Sequence, residues 1–387
     1  MGPGEFPTFK EHSAFHNVKP VNSIDYSVPT TVDATEATAG SPIGWSPSNA
    51  LVFGRGNRVY HKTMTETEGM AQQLTKLNDS MGNLRLVQCA GKDQPNTMIL
   101  ATSSGHVQLW DLAAKKVVQQ WKMKGPSAMM FNAALLTIGD EKGTLRHYDT
   151  RTNDSTKMKE QAKKVTRHQG RVTALAWSRD GNLISSGDQN GLILVWDIRK
   201  FKTPLEVGEM VQRRRKMQHV GAITALAWCP WFGKYLVSGD SAPDGSGTIR
   251  VWDMSNDGDS STRNPERPTK LELDAQVTSL HFSPHINELL STHGPGKLTE
   301  VPSLHHAEPL QSRIANSIVV HQFPLMRHVT TVSAAKKNIA GSVLSPNGQR
   351  IVLAVPEESQ LKVWDVWGKF KEPKQRSLLE TSSCMIR

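Results

Sequence analysis

The chain has 387 residues, 37% of them apolar, with 46 basic against 36 acidic residues and a formal net charge of +10. That length admits one large β architecture or two to three ordinary domains, and no run of about 18 apolar residues offers a membrane span, so a soluble protein is expected. Three cysteines, Cys89, Cys229 and Cys384, lie far apart without CxxC spacing, which argues against a disulfide framework or a zinc site and fits the reducing nucleus and cytoplasm.

In chain order, the opening "MGPGEF" lacks the basic and apolar regions of a signal peptide, and residues 1–23 read as a flexible leader. His12 and His16 have helical metal-ligand spacing there, but without the Glu of HExxH no metal site is expected. A strand pattern follows near 24–32. From about residue 42 the chain repeats itself. "GLILVWDIR" (191–199), "GTIRVWDMS" (247–255) and "QLKVWDVW" (360–367) share an alternating run ending in Trp-Asp, the pattern of a strand entering a turn. The aromatic marker recurs at Tyr60, Trp110, Tyr148, Trp196, Trp252 and Trp364. The last interval, 112 residues, is twice the 56 before it, which predicts a hidden copy in "NSIVVHQF" (316–323) with His321 at the Trp position.

Each copy is preceded by other strand patterns, such as "RVTALAWS" (171–178) and "GNLISSGD" (181–188). Four strands per repeat with a Trp-Asp signature describe an all-β, seven-bladed WD-repeat β-propeller, expected over residues 24–367. The last repeat shows no convincing outer strand after Trp364, so the strand near 24–32 is expected to close the ring. Closure removes an exposed sheet edge. Residues 368–387 then form a flexible tail, and 255–270 and 294–315 are long loops.

Charge clusters in "KMKEQAKKVTRHQGR" (157–171) and in "RRRK" (213–216). Neither interleaves aromatics for base stacking, so solvated loops are expected rather than a nucleic-acid site. Asp111, Asp149, Asp197, Asp253 and Asp365 recur once per repeat, which marks them as architectural. His168 and His219 stand where such repeats hold a hydrogen-bonded histidine. With no P-loop, GxSxG elbow or dinucleotide fingerprint, neither an enzyme nor a cofactor is expected.

"QHVGAITALAWCPWFGKYLVSGD" (218–240), with Ala227–Trp231 its most specific part, resembles the fizzy and fizzy-related family, the substrate-recruiting activators of the anaphase-promoting complex. "TVDAT" (31–35), "HVQLWD" (106–111), "FNAALLTIGDEKGTLRHYDTR" (131–151), "QVTSLHFSPHINELLSTHG" (276–294) and "LKVWDVW" (361–367) agree in order along the chain. The resemblance implies a propeller that holds destruction-box peptides between its first and last blades and Lys-Glu-Asn peptides on its top face. It also implies that the terminal Ile386-Arg387 docks on a tetratricopeptide-repeat subunit of the ligase, with no membrane partner. The degron-binding candidates carried over are Gly44 and Trp45, where the family has Asp-Trp; Gln189 and Asn190, where it has Asn-Asp; and Asn338, where it has Arg. The family's Asp-Arg-Tyr-Ile-Pro-x-Arg box finds no match in residues 1–30. Trp196-Asp197-Ile198-Arg199 and Tyr148-Asp149-Thr150-Arg151 leave a cullin-4-type ligase receptor as an alternative, and a scaffold unrelated to ubiquitin is a third.

Overall fold

The computed structural model describes residues 18–26, 42–65, 69–152, 154–211, 213–254, 270–300, 307–309 and 312–368. Seven antiparallel sheets follow one another, each a blade, and the chain is an all-β seven-bladed propeller. Blade five is representative, with strands Ala222–Trp228, Tyr235–Ser241, Gly247–Asp253 and Lys270–Leu273 in that spatial order. No helix among the described residues is long and apolar enough to cross a membrane.

The repeat inferred from spacing is exact in register. Trp252 lies opposite Leu236, Trp196 opposite Ile184, Tyr148 opposite Leu136, and His321 opposite Leu289. His321 therefore occupies the Trp position of blade six, and the doubled interval does conceal a copy.

The core is divided among the seams between blades. One apolar cluster spans each of the seven pairs of neighbours, the last joining blade seven to blade one. The Ser-Gly-Asp element explains how the blades approach so closely. A Cβ added at Gly187 would lie 2.4 Å from Ile223 Cγ2, and one at Gly239 would lie 2.5 Å from Val277 Cγ1. Each glycine thus receives a branched side chain of the next blade's inner strand. At the seam between blades six and seven the rule changes, because Thr292 faces Ser342, their hydroxyls 3.3 Å apart.

The ring is closed by Lys19–Asp25, which pairs antiparallel with Gln360–Asp365 as the outer strand of blade seven. This corrects the expected leader: residues 19–23 belong to the sheet, and the strand starts five residues before residue 24. The reason is the full length of Gln360–Asp365, whose far end needs Lys19 opposite Asp365. Apolar content alone points only to the other end, where Ile24 and Tyr26 are buried among blade-one and blade-seven residues.

Candidate functional site

In every blade the turn between the first two strands lies at one end of the ring, and the turn between the second and third at the other. The latter end, called top here, also carries the connections from each outer strand to the next blade.

Two histidine networks brace the top of blades four and five. His168 Nε2 and Ser186 Oγ are 2.7 Å apart, His168 Nδ1 meets Asp188 Oδ2 at 2.9 Å, and Trp196 Nε1 donates to Ser186 Oγ at 2.9 Å. His219, Ser238, Trp252 and Asp240 repeat it, at 2.6 Å between His219 and Ser238, 2.7 Å between Trp252 and Ser238, and 3.3 Å between His219 and Asp240. Burial pushes the Asp240 carboxyl up, but His219, the Gly221 N–H and Thr248 together hold it below the usual carboxylate range. All these polar atoms are satisfied inside the blade, so they have no capacity left for a ligand. The recurring aspartates are likewise structural: Asp111 accepts the N–H of Ala113, and Asp197 that of Arg199.

The carried-over residues do not converge. Ile386 and Arg387 lie outside the described residues. Gln189 and Asn190 are exposed on the top turn of blade four, where Asn190 N donates to Asp188 Oδ1. Asn338 is half-buried in the connection entering blade seven, on the other side of the ring. Its Oδ1 is buried without a hydrogen-bond partner, 3.0 Å from where a Cβ on Gly294 would lie. Gly44 and Trp45 are buried in the inner strand of blade one. A Cβ at Gly44 would meet Val87 Cγ1 at 3.0 Å and Cys89 Sγ at 3.2 Å, so this position faces the apolar wall of blade two. Trp45 Nε1 donates to Asn49 Oδ1 at 3.0 Å, so its one polar atom is spent inside blade one.

The residues that do present charge at the seam of blades seven and one are Asp25 and Arg55. Arg55 donates to the Asp25 main-chain carbonyl, lies 3.3 Å from its carboxylate, and stacks over Tyr60 at 4.6 Å. The Asp25 side chain is 70% exposed at this seam, so a carboxylate stands there although position 44 lacks one. Sequence spacing could not find this pair, because the two residues are 30 apart and join only through ring closure.

The bottom carries two exposed arginine forks. Arg151 donates from Nε and Nη2 to Asp149 at 3.0 and 2.7 Å, and Arg199 does the same to Asp197 at 3.0 and 2.8 Å. The Arg199 hydrogen bonds hold Asp197 down at about 2, and those of Arg151 depress Asp149. Each fork closes on the aspartate of its own Asp-x-Arg. The Ala227–Trp231 element is a rivet between blades: Arg179 of blade four donates to the Pro230 carbonyl at 2.8 Å, and Trp231 packs edge-on against Phe282 of blade six at 5.4 Å.

A β-propeller family described as the nucleolar protein 10-like N-terminal domain matches residues 124–296. The B-type cell cycle switch protein ccs52A of Medicago truncatula and the FIZZY-RELATED 1 protein of Arabidopsis thaliana are each 27% identical over 340 residues, covering 87% of this chain and 60% of the relative. The anaphase-promoting complex subunit cdc20 of Dictyostelium discoideum is 26% identical over 361 residues, covering 89% of this chain and 63% of the relative. The chain is a distant homologue of these fizzy-related and cdc20 proteins. It spans about 60% of the length of the fizzy-related relatives. A chain of a mitotic checkpoint complex crystal structure superposes with a TM-score of 0.70 at 21% identity, covering 95% of this chain and 97% of that one, which establishes the shared fold.

Proposed function

We propose that this fizzy-related homologue recruits substrates to the anaphase-promoting complex in the nucleus and cytoplasm, binding degron peptides on its propeller and docking on a tetratricopeptide-repeat subunit through Ile386-Arg387. The observation that carries the reading is homology over 87% of the chain to proteins of the fizzy-related kind. The contribution is binding rather than catalysis: a weak degron contact and a tail contact on one chain raise the effective substrate concentration at the ligase. The tail chemistry supports this, because Ile386 offers an apolar anchor and Arg387 a guanidinium fork beside the terminal carboxylate. The seam chemistry supports it too. A basic degron residue needs a carboxylate, and Asp25 supplies one between the first and last blades.

Copurification with the ligase tests the docking half. Removing Ile386-Arg387 should abolish association while the propeller melts unchanged; undiminished association refutes the tail assignment. Degron binding is tested with destruction-box and Lys-Glu-Asn peptides against the whole chain. Asp25→Asn should weaken the destruction-box peptide, and indifference of the wild-type chain to both peptides would leave only the scaffold reading.

A further inference from the structure

The two basic clusters, separate in the sequence, share one side of the ring. In blade four the third strand, Leu192–Asp197, is covered by two different stretches of chain. Leu205 N donates to Val195 O at 2.7 Å, while Leu192 and Ile193 pair with Gln218 and Met217. The chain between them is thrown outward as a hairpin, Glu209–Val211 against Arg214–Gln218. Met217 is its buried anchor, and Glu209 Oε2 ties it to Arg250 of blade five at 3.1 Å.

Gln218 Nε2 donates to the Asn190 carbonyl at 2.8 Å, while the tip of the hairpin projects its charge outward. Arg213, Arg214, Arg215 and Lys216 are exposed, and none forms an ion pair among the described residues. Beside them Met210 is 67% and Val211 42% exposed. Among the described residues the outer edge of Glu209–Val211 pairs with no further strand. A second basic stretch lies on blade three, where Lys163 and Lys164 are exposed on the outer strand and Arg167 Nη2 donates to the Lys202 carbonyl of blade four at 3.3 Å.

We propose that this hairpin docks an extended acidic segment of a partner protein, one that alternates carboxylates with aliphatic side chains. Charge complementarity selects an anion and turns away a second copy of this chain, whose own hairpin is equally basic. The flanking Met210 and Val211 accept aliphatic groups, and the free edge offers main-chain N–H and C=O groups that only a polypeptide can pair with along its length. No exposed aromatic on the hairpin offers a base a stacking surface, which separates this site from a single-stranded nucleic-acid groove.

Fluorescence anisotropy on the whole chain tests the proposal, using a labelled peptide of about twelve residues that alternates Glu with Val. Binding should weaken about tenfold or more as salt rises from about 0.05 to 0.2 M, as surface charges are screened. The pair Arg214→Glu and Lys216→Glu should abolish it. Arg213 has φ 68°, so Arg213→Gly relieves the turn and should melt no lower than wild type while weakening the peptide severalfold. Peptide binding that survives the charge reversal overturns the proposal. So does displacement of the peptide by a single-stranded oligonucleotide of equal charge at equal concentration, which would mark an indiscriminate polyanion surface.

Discussion

At the scale of single residues, one repeat position does different work in different blades. Trp196 Nε1 donates to Ser186 Oγ, whereas Trp364 Nε1, at the same place in blade seven, is buried without a hydrogen-bond partner. Trp196→Phe should therefore cost about 1 kcal/mol more than Trp364→Phe, since only the first removes a buried hydrogen bond. Urea unfolding of the two variants checks this, and equal losses would mean the network adds nothing beyond ring packing. Gly44 carries the opposite lesson. Restoring the family's carboxylate there by Gly44→Asp places a charge against Val87 and Cys89. The variant should lose roughly 2–4 kcal/mol and gain no affinity for a destruction-box peptide. A gain in affinity would show that blade one presents this position to ligands after all.

At the scale of elements, the strands and their faces were legible because a period of two and a Trp-Asp ending recur with little drift. Even the hidden blade followed from an interval, since His321 keeps the register when the Trp is lost. The closing strand was only half legible: Lys19–Ser23 is exposed, with Val21 its one large apolar side chain, and its pairing is dictated by a strand more than 300 residues away. The same distance concealed Asp25 and Arg55. The extra hairpin of blade four was hidden for another reason, because "RRRK" reads as a loop until Met217 is seen to anchor it. Closure nevertheless governs stability. Ile24→Ala removes a buried side chain from the seam and should cost about 2–4 kcal/mol. Deleting residues 1–25 should do more, exposing the edge of Gln360–Asp365 and producing concentration-dependent self-association in sedimentation experiments. A truncated chain that stays monomeric and melts like wild type would show that the ring does not depend on this strand.

For the molecule as a whole, the buried histidines of blade six contribute to the response to acid. Four seams are shaped by glycines that admit a branched aliphatic residue, at Gly54, Gly139, Gly187 and Gly239. The joint between blades six and seven is polar instead, since His281 Nε2 meets Ser342 Oγ at 2.9 Å and Ser342 N donates to Ser279 Oγ at 3.0 Å, while His293 and His321 pair with Val277 and Leu289 on the face toward blade five. Burial drives His281 down to about 4, His293 to about 3 and His321 to about 4, with His321 also opposing His293 and His328 opposing His321. These rings are neutral in the folded ring but titrate near 6.5 in the unfolded chain. Between about pH 6.5 and 4 the unfolded state therefore binds more protons, so stability is complete above that window and is lost as the pH falls through it. At pH 5 each ring forfeits roughly 2 kcal/mol, whereas depressed carboxylates such as Asp149 and Asp240 act only below their own unfolded values near 3.8. Thermal melting at pH 7.5 and pH 5 should show a marked drop, and His321→Trp, which installs the residue of the other blades, should flatten it. If the variant and the wild type lose stability in parallel, His321 does not contribute to the acid response. If the wild type melts alike at both values, the buried histidines of blade six are no weak point in the ring.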